Sequence, residues 1–297
     1  MKLTVLVDNA TLTDRYFLAE PGLCFHLVLD DGRGILLDAG YSDVFLRNAA
    51  KMGIDLRQVS TVVLSHGHLD HTWGLSHLAA LLIENLHEGL VCKPPRVLCH
   101  PIALDDRRLP GLPQIGALLS PGKMATVFEL DLSTEPQWLD ENLLYLGEIE
   151  RRLDFEATST LGLRSSPDGE APDDLLDDTA LAYRSDQGLV ILTGCSHAGI
   201  CNIVEQARRL TGESRVRDIV GGLHLLDASR ERLEATANYL NGLHLQAIHP
   251  CHCTDLASKI FLARTLPVKE VGVGLALQWA PAWSGREIFL APLAGRV

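Results

Sequence analysis

Three histidines and an aspartate fall within six residues, in the stretch SHGHLDH that holds His66, His68, Asp70 and His71. Imidazole nitrogens and a carboxylate are the ligand types shared by zinc, iron and manganese sites. In extended backbone His66 and His68 project to one side, while Asp70 and His71 lie a turn further on and can reach a second ion. Gly67 lets the chain bend closely around a charge. The alternative is a polar loop capping the next helix, with Asp70 as N-cap. A cap has no use for three histidines, so metal binding is the stronger reading.

The elements around this stretch are legible from their periodicity. The run STVVLS before it reads as a short strand and LSHLAALLIENLHEG after it as a helix. Upstream, KLTVLVDN reads as a strand, and LCFHLVLDD, a turn at Gly32 to Gly34 and GILLDAG read as a hairpin. SDVFLRNAAKMGI then has helical spacing with Gly53 where a C-cap would sit. RVLCHP is a further strand. Prolines at 110, 113, 121, 136 and 167 break the pattern between about 101 and 172, which predicts an insertion or lid with hairpin pieces. Within it SSPDGEAPDDLLDD is expected to be the most mobile loop. Regularity returns with paired strands TALAYRS and GLVILTG, the helix IVEQARRLTG, the strand RDIVGGLHL, the helix ERLEATANYLNGL and the strand QAIHPCHC. Strands alternating with helices predict an α/β fold, taken here as one domain over 1–297.

Composition removes several classes of function. Apolar residues make up 46% of the 297 and charged residues 22%, a globular balance. The formal net charge of −12 sets the whole-molecule field against phosphate backbones and anionic membranes, which disfavours nucleic acid as a partner. The first apolar run stops at Asp8, too short for an export signal or a membrane span, so a cytoplasmic location is expected. Seven scattered cysteines, an odd number, do not form a secreted disulfide framework. There is no glycine-rich dinucleotide fingerprint and no P-loop. Arginine pairs at Arg107–Arg108 and Arg151–Arg152 in the expected lid are either solvated surface or a phosphate clamp, and Arg208–Arg209 is a third pair.

SHGHLDH after an apolar strand resembles the HxHxDH signature of the metallo-β-lactamase superfamily, and GILLDAG resembles its first-hairpin motif, whose aspartate (here Asp38) supports the metal loop. VDN at 7–9, LSHGHLDHTWGL, GCSHAGICNIVEQA, GGLHLL and HCT at 252–254 are similar to the branch labelled 7,8-dihydropterin-6-methyl-4-(β-D-ribofuranosyl)aminobenzene-5′-phosphate synthase, over about 3–100 and 178–275. The resemblance implies a four-layer αββα sandwich, two mixed sheets flanked by helices, with the metal site at one edge. It implies two divalent ions, zinc before manganese or iron. His66 and His68 would hold one ion and Asp70 and His71 the other; His197 would complete the first shell and His252 the second, unless either is a satisfied buried histidine. Many members carry a bridging aspartate after a late glycine. Here Gly194 is followed by Cys195, which is a ligand, a supporting thiol or packing. His224 is a candidate ligand or substrate donor; His100, His249, Cys251 and Cys253 are weaker candidates.

The expected chemistry is hydrolysis of a small phosphoester or related anionic substrate by hydroxide made available on a metal, with Asp70 and His224 as the catalytic candidates. A transferase of the synthase type, releasing diphosphate, is the second expectation, and a metal-binding or ligand-sensing protein without turnover is the third. The expected partner is an anionic or phosphorylated small molecule, with no membrane; a homodimer is permitted.

Overall fold

The computed structural model describes residues 1–90, 93–112, 114–157, 160–166 and 169–282. Cys92, Pro113 and Pro167 lie outside the described residues. In chain order come β1 (Lys2–Val7), β2 (Cys24–Val28), β3 (Gly34–Leu37), α1 (Val44–Lys51), β4 (Val59–Val63), α2 (Leu69–Thr72), α3 (Leu75–His87), β5 (Arg96–Cys99) and β6 (Arg107–Arg108). The middle holds α4 (Pro121–Met124), β7 (Glu129–Leu132), β8 (Gln137–Trp138), β9 (Leu143–Tyr145), β10 (Leu163–Ser166) and β11 (Gly169–Pro172). The last third holds β12 (Ala180–Ser185), β13 (Gly188–Thr193), α5 (Ile200–Thr211), β14 (Val216–Gly222), α6 (Arg230–Asn241), β15 (Ala247–Cys251), α7 (Leu256–Leu262) and β16 (Ala276–Gln278).

Two mixed sheets carry the fold. One runs β16-β1-β2-β3-β4-β5-β7 and the other β15-β14-β13-β12-β9-β8. Each has an antiparallel part followed by parallel strands: β3, β4, β5 and β7 in the first, β13, β14 and β15 in the second. Successive strand residues face opposite sides, so Val63 packs between the sheets while Val62 packs outward with Phe45, Leu78 and Leu82 from α1 and α3. In the second sheet Val190 and Leu192 face the inter-sheet core, while Ile191 faces Ile203, Val204 and Leu240 on α5 and α6. These three apolar layers make the expected αββα sandwich.

The stretch 101–172 divides in two. β7 forms an edge of the first sheet, and β8 with β9 forms an edge of the second, so these pieces are framework. The three-stranded sheet β11-β10-β6 stands apart from both. The acidic connector differs from the expected mobile loop: Asp173, Asp177 and Asp178 are fully buried, because backbone amides and Arg107 meet their carboxylates.

Candidate metal centre

The motif loop leaves the C-terminal end of β4, where the parallel strands of the first sheet end. Asp38, at the end of β3, holds the root of this loop. Its Oδ1 accepts the Ser65 amide at 2.7 Å, and its Oδ2 accepts the Ser65 hydroxyl at 2.7 Å. The same Oδ2 lies 2.7 Å from His71 Nδ1, which anchors that nitrogen and turns Nε2 into the site. Asp38 therefore supports the motif loop from behind. The helix α2 is capped at His68, not Asp70, so the capping alternative for Asp70 is not what the chain adopts.

Gly67 shows why no side chain fits in the middle of the motif. A Cβ there would lie 1.7 Å from Arg107 Nη1 and 2.1 Å from the Ala103 carbonyl. Its amide donates to Asp177 Oδ2 at 2.7 Å. Arg107 in turn pairs with Asp173 at 2.7 Å and Asp177 at 2.8 Å, all three fully buried. The phosphate-clamp reading of Arg107 is thus corrected: its guanidinium is spent on two internal carboxylates beneath the motif. The other paired arginines are engaged too, Arg108 with Glu170, Arg152 and Arg209 with Glu150, and Arg208 with Glu205. Arg151 donates to the Leu175 carbonyl.

His197 and Cys195 come from the loop after β13, and His252 from the loop after β15. Gly194 makes the approach of the two sheets feasible, since a Cβ there would lie 2.0 Å from Ser65 Oγ. His252 takes φ +52 just past its strand. Its amide donates to Asp8 Oδ1 at 2.9 Å, and its Nδ1 lies 3.1 Å from Asn9 Oδ1, which turns Nε2 inward. The VDN segment at the end of β1 thus orients His252.

The ligand atoms converge in overlapping groups, each within 4.8 Å: His66, His68 and His197; Asp70, His71 and His252; His66, His71 and Cys195; and Cys195, His252 and Cys253. His66 Nε2 lies 3.0 Å from His68 Nδ1, and His71 Nε2 lies 3.1 Å from His252 Nε2 and 3.2 Å from Cys195 Sγ. His68 Nε2 and His197 Nε2 are buried without a protein partner. Buried nitrogens are seldom left so, and lone pairs crowded at these distances fit a donor set for divalent cations. His224 lies beside this cluster rather than in it: its ring is 4.2 Å from that of His197, and its Nδ1 is buried without a partner. His100 and His249 sit elsewhere, paired with Glu148 and Asp218. Cys251 is packed in the inter-sheet core.

Electrostatics divide the cluster. Burial pushes the pKa values of His66 and His197 well down, and burial aided by Arg107 takes His68 to about 3. These imidazoles are neutral and ready to ligate. For His71 burial opposes the charge, but Asp70 and Asp38 outweigh it and raise the pKa from 6.5 to about 9. Asp70 is also buried, which would raise it, yet His71 and His252 hold it below its usual range.

Sequence reasoning gave Cys253 little weight and missed the support from Asp177. Cys253 stands one residue after His252, which could have drawn attention to it, but nothing local to Gly67 points to Asp177, 110 positions away.

Comparison with known proteins agrees with this geometry. Residues 20–87 match the family described as the metallo-beta-lactamase superfamily. Fold, motif and this match point the same way: over residues 20–87 the chain is similar to the metallo-β-lactamase superfamily. A crystal structure described as Tm1679, a metal-dependent hydrolase of the beta-lactamase superfamily, aligns with a TM-score of 0.79 at 29% identity, over 94% of this chain and 99% of that one. Among curated proteins the chain is similar to the 7,8-dihydropterin-6-methyl-4-(beta-D-ribofuranosyl)-aminobenzene-5′-phosphate synthase of Methanocaldococcus jannaschii, 28% identical over 87% of this chain and 89% of the relative. Zinc-bound PqqB from Methylobacterium extorquens shares the fold alone, with a TM-score of 0.52 at 12% identity. No helix among the described residues is long and apolar enough to cross a membrane.

Proposed function

We propose that this chain is a metal-dependent hydrolase of a small phosphoester or related anionic molecule, working with two divalent ions, zinc first among them. The observation that carries the reading is the convergence of His66, His68 and His197 beside Asp70, His71 and His252, at strand ends of two sheets. Ions bound there would supply Lewis acidity and an acidified water. The protein's own part is to hold the donors, admit the substrate and move protons. Asp70 Oδ2, 3.4 Å from His252 Nε2, is the carboxylate placed to take a proton at the site.

Beside His224 opens a cavity of about 520 Å³, lined also by Phe155, Leu226, Ser229 and Arg232. Arg232 lines this cavity beside His224, which puts a cationic side chain next to the cluster. Asp227 and Glu231 on the same cavity are exposed, where water screens them. This arrangement supports an anionic substrate. Metal-loaded protein should hydrolyse bis(p-nitrophenyl) phosphate, with His66→Ala losing that activity and Arg232→Ala raising KM while leaving the metal content unchanged. Turnover that survives His66→Ala would refute the hydrolase.

The similarity to the archaeal synthase over 87% of the chain favours a second reading, a transferase that releases diphosphate. There the donors of the cluster would grip a leaving diphosphate through their ions. Diphosphate released only when a dihydropterin diphosphate and an aminobenzene ribofuranosyl phosphate are both present would select it over the hydrolase. Stoichiometric metal with neither activity would point to a binding or sensing protein.

A further inference from the structure

We infer that Cys253 is a metal ligand and that, with Cys195 and His252, it makes the second cradle a thiolate site that selects zinc or cadmium over magnesium or manganese. The inference rests on the reading that the cluster holds metal. It adds two sulfur donors to the cradle of Asp70, His71 and His252, and names the kind of ion it takes.

The geometry is built to bring this sulfur in. Cys251 and Cys253 are two apart in sequence, yet β15 ends at Cys251 and His252 turns to φ +52, so they diverge. Cys251 stays in the apolar inter-sheet core, while the ligand atom of Cys253 lies within 4.8 Å of those of Cys195 and His252. Glycine at 222 makes the room: a Cβ there would lie 2.6 Å from Cys253 Sγ and 2.5 Å from the Gly194 carbonyl. The His224 amide donates to Cys253 Sγ at 3.2 Å, which favours a thiolate, while the sulfur's own contact with the Cys195 carbonyl at 3.4 Å is the one that ligation would replace. Cys195 Sγ meanwhile sits 3.2 Å from His71 Nε2, and the group it forms with Cys253 shares His252 with the second cradle.

Ligand softness gives the consequence. Thiolate donors favour zinc and other thiophilic ions, whereas carboxylate and water suit magnesium and manganese. A carboxylate at position 195 would give a hard bridge between the cradles. With Cys195 there and Cys253 behind it, the second cradle offers two sulfurs together with hard and borderline donors. The first cradle, three imidazoles, has no sulfur except where Cys195 approaches His66.

The test is cobalt(II) titration of the metal-free full-length chain, followed in the near ultraviolet, where thiolate-to-cobalt charge transfer absorbs. Wild type is expected to develop this band. Cys253→Ser is expected to lose about half of it, one of two thiolates being gone, and the Cys195→Ser, Cys253→Ser double variant all of it. The visible bands from the histidine cradle should persist in all three. A Cys253→Ser protein with the full band, or wild type with two cobalt ions and no band, would overturn the inference. Should Cys253→Ser fail to fold, wild type itself decides: zinc and cadmium, but not magnesium, should protect Cys253 from iodoacetamide in peptide mapping, and alkylation unchanged by zinc would refute ligation. Phosphodiester hydrolysis is measured separately. A thiolate band without hydrolysis would sink the hydrolase and leave the thiolate site standing; hydrolysis without the band would do the reverse.

Discussion

The two cradles lie side by side and share loops, yet they are made by opposite physical means. The first, His66, His68 and His197, is built by exclusion of water: burial drives its imidazoles to the neutral state, and two of their nitrogens have no protein partner. Its foundation is a buried guanidinium held by two carboxylates under Gly67. The second is built by charge. Asp70 and Asp38 pull a proton onto His71, and Asp8 and Asn9 hold His252. If ions bind as proposed, those in the first cradle would displace no proton, whereas those in the second would have to expel one from His71. Neighbouring sites of similar ligand count can therefore differ in affinity, pH response and choice of metal.

The largest effect separating the cradles should come from Arg107→Ala, which leaves Asp173 and Asp177 buried without their shared cation. Loss of about 3–5 kcal/mol in chemical denaturation is expected, with weaker metal binding in the first cradle and little change in the second. Equal weakening of both would mean that the cradles share one foundation.

Next in size is Asp38→Asn, which keeps the shape but removes the charge that orients His71 Nδ1. Losses of this kind typically cost about 10- to 100-fold in metal affinity. Competition with a chelator should place the larger part of that loss in the second cradle, the first being touched only through Ser65 and His66; a matching loss in the first would blur the distinction.

The smallest but sharpest effect is on pH. Because His71 must shed a proton, as must any thiol that ligates, affinity of the second cradle should climb by at least about tenfold per pH unit between 6.5 and about 9, while that of three neutral imidazoles stays level in the same range. Calorimetry in buffers of different ionisation enthalpy would count the proton released, and a count of zero would break the contrast. The metal-free protein should show the same opposition in stability. His71 has a raised folded pKa, so its contribution is complete below pH 6.5 and is lost as pH rises through about 9. His68 is a base with a lowered pKa, so it costs stability increasingly as pH falls from 6.5 towards about 3.

Much of this was legible before folding was considered. His66, His68, Asp70 and His71 announce themselves because one strand end places them all, and local spacing is a property of the chain. His197 and His252 were reached through resemblance and through their positions beyond strand ends, where α/β sheets gather their ligands. Arg107 read as a surface clamp because an arginine pair in a proline-rich stretch looks solvated. Only the packing of β6 beneath the motif loop shows the two carboxylates that consume it. Cys253 read as one member of a CxC pair facing a core, which holds for Cys251 but fails once the strand ends between them.

The sequence by itself determined the donor types, the alternation of strands and helices, and the two-layer division of each strand's residues, because hydrophobic periodicity and ligand spacing act over a few residues. The tertiary structure decided which atoms meet: that Asp38 reaches His71 across 33 positions, Asn9 reaches His252 across 243, and Asp177 reaches Gly67 across 110. Those encounters exist only when two sheets bury a common apolar face and bring their strand ends together. The charge and burial of each cradle follow from that shared edge.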